Sequence, residues 1–222
     1  MLRVMPREAT ATPERILKAA FTRFSRYGFR RTSMEDIASE AGVSRAALYL
    51  QFRNKEEIFR TLACGLQEKA LAQAAVEARS DRPFAARLQA AIEAKTIEFI
   101  EIAYGSPHGA ELMDETNRSC GDVVAGARDR FLDLLTRLFR KAADDGEVDL
   151  ARAGLKPPEA AALIHGCLHG LKGVEATVDA YRANVAALVR VFVAGLATAQ
   201  PVPAKKTSKT AYRSRRAAGR RQ

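Results

Sequence analysis

The side chains with the most chemical capacity are few and poorly matched to a reaction. His165 and His169 stand four residues apart, the spacing that sets two imidazoles on one helix face, as in a metal pair. Cys167 points elsewhere on such a helix and no carboxylate or thiol adjoins them, so structural histidines at a helix interface are the favoured reading and no metal is expected. Cys64, Cys120 and Cys167 are odd in number, widely spaced and free of any CxxC pairing, which suits a reducing cytoplasm better than a disulfide framework. The chain has no glycine-rich phosphate loop, paired-carboxylate motif or nucleophile elbow, and its serines have no recognisable base partner. An enzyme is not expected, nor a cofactor. What remains is binding chemistry. Tyr104, His108, Met113, Asn117, Cys120, His165 and His169 are polar or soft groups on otherwise apolar helices, the usual lining of a small-molecule cavity, although spacing does not show which converge.

Charge points to a second kind of binding. The net +10 is uneven: residues 1–60 carry 12 Lys/Arg against 7 Asp/Glu, about +5. Residues 61–199 carry 16 against 19, about −3, and residues 200–222 carry 8 against none. Both ends are basic around a mildly acidic middle. No apolar run approaches the roughly 18–20 residues of a membrane span, and the first residues turn polar too soon for a secretory leader. A soluble cytoplasmic protein is the expectation.

The elements that must position these groups are helical throughout. Thr12 caps a helix that opens on Pro13, carries Ile16, Leu17, Ala20, Phe21, Phe24 and Tyr27 at helical spacing, and stops at Gly28. Ser33 and Asp36 form a capping box for a second helix with Ile37, Ala38 and Ala41 inside. Gly42-Val43-Ser44 makes a sharp turn, and Ser44 caps a short third helix to about Leu50. Two helices joined by a tight glycine turn form a helix-turn-helix, whose second helix presents its exposed residues to the major groove. Further helices are expected at about 55–79, 84–104, up to 120, 122–143, 157–178 and 179–199. The fold class is all-α, three helices in an N-terminal head and about six behind. The divisions are a flexible lead (1–11), a helix-turn-helix DNA-binding head (12–54), a helical body (55–199) and a disordered basic tail (200–222).

The run from Thr32 to Phe59, TSMEDIASEAGVSRAALYLQFRNKEEIF, resembles the signature of the tetracycline-repressor (TetR) family, the likeness covering about residues 13–60. It implies a dimeric regulator of double-stranded operator DNA, released by a small, largely apolar effector, with residues 55–199 as its ligand-binding and dimerisation domain. Ser33 and Ser44 would meet phosphate at helix N-termini, and Arg45, Ala46 and Ala47 would face bases, Arg45 a guanine edge and the alanines thymine methyls. Tyr49 and Lys55 would anchor phosphates, with Arg30 and Arg31 as looser helpers, while Leu48 and Phe52 belong to the core. Gln51 departs from the histidine or aromatic common in the family, though glutamine still donates to phosphate. The helix at 55–79 would act as the lever between effector and head.

In the final two helices, Gly166, Gly170 and Gly173 flatten one face. A dimer interface through Leu168, Leu171, Val185, Leu188, Val189 and Phe192 is expected, against the alternative that these are intrachain core. The rival function is a nonspecific DNA-binding or adaptor protein using the basic tail, a segment that could equally serve solubility.

Overall fold

A computed structural model describes residues 12–171 and 177–197; the lead (1–11), Gly173 and the tail (200–222) lie outside the described residues. Among the described residues there are nine helices and no strand: α1 (Pro13–Tyr27), α2 (Met34–Ala41), α3 (Arg45–Gln51), α4 (Lys55–Ala78), α5 (Phe84–Gly105), α6 (Gly109–Ser119), α7 (Gly121–Asp144), α8 (Pro157–Leu171) and α9 (Val178–Gly195). None of these helices is long and apolar enough to cross a membrane. Helix α8 is described to Leu171, and Thr177, accepting from the Ala180 amide, caps α9, so Val178 opens the last helix where the sequence reading has it close the one before.

The starts and stops follow local chemistry. Thr12 accepts from the Arg15 amide at the head of α1. Ser33 Oγ accepts from the Asp36 amide at 3.1 Å while Asp36 accepts from the Ser33 amide at 2.9 Å, satisfying two orphan helix donors reciprocally. Gly42 sits at φ 62°, ψ 41°, the left-handed conformation that lets α2 close and α3 leave at once.

Two apolar clusters hold the chain together. In the first, Ile16, Phe24, Ile37 and Leu48 are buried, and the rings of Phe24, Phe29 and Phe59 meet at centroid distances of 5.0–5.7 Å. Burying each such side chain contributes about 1.5–3 kcal/mol. The second is built on Leu88, Ile92, Leu135, Phe139, Ile164 and Val185, where α4 packs along α5, α7 along α8 and α9 against α5. Helix α4 belongs to both, contributing Ile58, Phe59 and Ala63 to the first and Leu71 and Ala74 to the second. The first cluster also takes Ile102 from α5 and Leu112 from α6. The head core therefore draws on α4, α5 and α6 as well as α1–α3.

The expected dimer residues divide. Leu168, Val185 and Val189 are buried in the intrachain cluster, and Leu171, Leu188 and Phe192 pack half-buried against it. The three buried residues fit the alternative reading, while the three half-buried ones keep part of their surface open. The other side of α8 is the open one: Ala162, Leu163, Gly166, Cys167 and Gly170 are exposed.

Candidate DNA-reading face and ligand cavity

Helix α3 buries Leu48, with Phe52 following it into the core, and turns the rest of its surface outward. Arg45 and Ala46 are exposed, Ala47 is half-buried, Tyr49 is 47% exposed and Gln51 is exposed beside it. Leu50, which the sequence left between core and surface, is 84% exposed. Ser44 accepts from the Ala47 amide at 3.1 Å and keeps its own hydroxyl proton for another acceptor. Arg45 reaches Glu35 of α2 at 3.4 Å, both side chains largely in solvent. Arg30 and Arg31 are exposed in the loop before α2.

Two expected phosphate contacts are otherwise engaged. Ser33 Oγ donates to Asp36 Oδ2 at 2.6 Å, so its proton is committed inside the capping box. These hydrogen bonds from Ser33, with Arg23 3.1 Å away, hold the Asp36 carboxyl below the usual carboxylate range. Lys55 Nζ donates to the carbonyls of Phe29, Arg30 and Thr32 at 2.9, 3.3 and 3.0 Å and lies 4.6 Å over the Phe29 ring. An ammonium has three donors, and all three are used within the head. Sequence order could not show this, because the carbonyls lie more than 20 residues away.

The loop at 28–32 is also tied from the other side. Glu111, near the start of α6, accepts from the Arg30 amide at 3.0 Å, and His108 Nδ1 lies 3.1 Å from its second oxygen. The Arg30 amide bond is the main reason the Glu111 carboxyl stays below its ordinary range. Gly28 makes this approach possible: at φ 86° a Cβ there would lie 2.4 Å from Glu111 Oε2. His108, expected in the ligand set, sits instead at this joint. Cys120 is likewise corrected: it is 0% exposed in the head cluster, where burial raises its thiol pKa and keeps it neutral. The other five expected ligand residues do converge.

Tyr104, Met113, Asn117, His165 and His169 line one cavity of about 580 Å³ enclosed by α4, α5, α6, α7 and α8. Its apolar wall includes Phe99, Ile100, Val124, Phe131 and Leu168, and its polar groups include Gln67, Lys95, Thr96, Thr116 and Arg128. Lys95 Nζ donates to Gln67 Oε1 at 2.8 Å and lies 4.8 Å over the Phe99 ring. The sequence reading missed Lys95 and Gln67, whose meeting depends on how α4 packs on α5. The His165 and His169 rings meet edge to face at 4.7 Å, with Phe131 6.2 Å from His165. Among the described residues no cluster of three or more His, Cys, Asp or Glu is placed to hold a metal ion. The volume lies within the roughly 300–1,000 Å³ typical of small-molecule sites.

Residues 16–62, which hold the whole helix-turn-helix, match the sequence model of bacterial regulatory proteins of the tetR family. The fold behind it matches too: SmeT, repressor of the Stenotrophomonas maltophilia multidrug efflux pump SmeDEF, superposes with a TM-score of 0.64 at 25% identity, covering 87% of this chain and 98% of SmeT. The head carries the DNA-binding module of the tetR family. TtgR, a helix-turn-helix transcriptional regulator of Pseudomonas putida, is 41% identical over 68 residues, 31% of this chain and 32% of TtgR. The match thus spans about a third of that relative. SrpR, also of Pseudomonas putida, is 27% identical over 154 residues, 68% of this chain and 70% of SrpR. The likeness to TtgR is confined to 68 residues, while the likeness to SmeT extends over 87% of the chain and is mainly one of fold.

Proposed function

We propose that this TetR-family regulator is a homodimeric repressor that holds a palindromic operator through two copies of α3 and releases it when a small, largely apolar molecule enters the cavity. The observation that carries the reading is the position of the cavity. It is walled by α4 and α6, and each of those helices also packs into the cluster that holds the head. A ligand that fits better when α4 and α6 are displaced would favour a head orientation unsuited to DNA, by its differential affinity for the two states. SmeT has been solved in complex with triclosan, a precedent for a small-molecule complex in a protein of this fold. Ser44, Arg45, Ala46, Ala47, Tyr49 and Gln51 form the proposed reading face, with Arg30 and Arg31 on its flank.

The test is selection of bound fragments from genomic DNA, followed by release assays with a panel of apolar and aromatic compounds. One short palindrome, shed on addition of a compound that binds in the cavity, is the expected result. Diffuse recovery with no motif would overturn it in favour of nonspecific binding through the basic ends. A ligand that binds without altering operator affinity would overturn the release mechanism.

A further inference from the structure

Between the head and the large cavity lies a second void of about 40 Å³. Its wall is almost wholly hydrocarbon, with Phe21 from α1, Phe59, Ala63 and Leu66 from α4, and Ile102 from α5. Gln67, Phe99, Met113 and Thr116 line both this void and the large cavity, so the two spaces adjoin along these four residues. The space is large enough for a water, but a buried water needs two to four polar partners. Of the polar groups on the shared wall, Gln67 Oε1 accepts from Lys95 at 2.8 Å and the Thr116 hydroxyl donates to the Leu112 carbonyl at 2.8 Å, and the rest of the wall is apolar. The void therefore suits apolar atoms. Met113 is an unbranched, adaptable side chain, half-buried at the partition, and can turn aside without backbone movement.

We propose that this void is an apolar limb of the effector site, taking the alkyl end of an elongated amphiphile whose polar part stays in the large cavity. The inference rests on the reading that the large cavity holds a small molecule. It adds the shape of that molecule and the place where it acts. An occupant of the limb touches Phe21 of the head and Phe59 and Leu66 of α4 at once. A chain longer than the limb must part α1 from α4, whereas a compact ligand fills the large cavity and leaves that joint closed.

Xenon and a homologous series of 4-alkylphenols, methyl to hexyl, are the probes. Crystals of the full chain under xenon pressure are expected to show xenon between Phe21, Leu66 and Ile102. Its absence there overturns the limb whatever the large cavity binds. In calorimetric titrations affinity is expected to rise roughly fourfold for each methylene that enters the limb and then to level off. Ala63→Leu, which fills the limb, should flatten the rise and leave the methyl member unchanged. Leu66→Ala, which enlarges it, should move the plateau to longer chains. A flat series, or a rise that neither variant alters, overturns the proposal. Xenon in the limb with no phenol bound overturns instead the reading of the large cavity, and with it the limb's part in the effector site.

Discussion

Arg45 and Lys55 are both cations of the reading head, yet the fold sets them to different tasks. Arg45 stands in solvent with only Glu35 at 3.4 Å, and an exposed pair of this kind is worth about 0–1 kcal/mol. A bidentate guanine contact is worth about 1–3 kcal/mol of discrimination, so exchanging one partner for the other favours DNA. Arg45→Ala is expected to lose that discrimination at one position of each half-site, read by competition binding with single-base operator variants. An equal loss on every sequence would reassign Arg45 to phosphate. Lys55 has its three protons on loop carbonyls, and Lys55→Met keeps the stem on the Phe29 ring while leaving those carbonyls without their donor. The expected cost is about 1–3 kcal/mol of folding stability, seen as a lower urea midpoint in the absence of DNA. A variant as stable as the parent but weak on DNA would return Lys55 to the phosphate role.

At the scale of elements, the α1–α2 loop is held between α4 through Lys55 and α6 through Glu111. Gly28→Ala should disturb it twice, since the residue needs positive φ and its Cβ would collide with the Glu111 carboxylate. Such backbone strain alone costs about 1–3 kcal/mol. The Glu111 bond also has a pH signature. Its folded pKa is depressed, so its stabilisation is complete above the ordinary carboxylate value of about 4.3 and fades as pH falls through the depressed one. Glu111→Gln keeps an acceptor for the Arg30 amide but cannot titrate. Wild type should therefore lose more urea resistance between pH 6 and pH 3 than the variant does, and parallel curves would contradict the assignment. Asp36, Glu57, Glu68 and Asp122 are also depressed but titrate alike in both proteins, so the difference isolates Glu111. Caps and turns of this kind differ in how visible they are from sequence. The Ser33–Asp36 box and the Gly42 turn were legible because each is a contact within a few residues. The Glu111–Arg30 bond spans 81 residues, and neither partner's neighbours announce it. Cys120 looked like a cavity residue for the same reason: it follows α6, which lines the cavity, but its own side chain turns into the head cluster.

For the whole molecule, the ambiguity lay in α8. Leu163, Ile164, Cys167 and Leu168 are all compatible with a core, and periodicity alone does not say which side meets the body and which meets a partner. The fold buries Ile164 and Leu168 and leaves Leu163 at 50% and Val191 of α9 at 74% exposure. The same two helices carry Ala162, Gly166, Cys167, Gly170, Ala183 and Ala194, small exposed residues that permit close approach of another helix. Added Cβ atoms at Gly166 and Gly170 would meet nothing within 4 Å, so this flatness is not used inside the chain. A second copy packing these two helices against its own would form an isologous interface and bury the patch on both sides. Two reading helices would then be fixed about one DNA turn apart, roughly 34 Å, and neither head alone would supply operator affinity. Leu163→Arg places a charge at this face without touching the intrachain core, and Val191→Arg does the same from α9. Each is expected to sediment as a folded monomer at micromolar concentration, with an unchanged helical signal and at least a hundredfold loss of operator affinity. If both variants remain dimeric and hold DNA as tightly as the parent, the partner face lies elsewhere. A monomer that still bound the palindrome at full strength would separate DNA reading from dimerisation altogether.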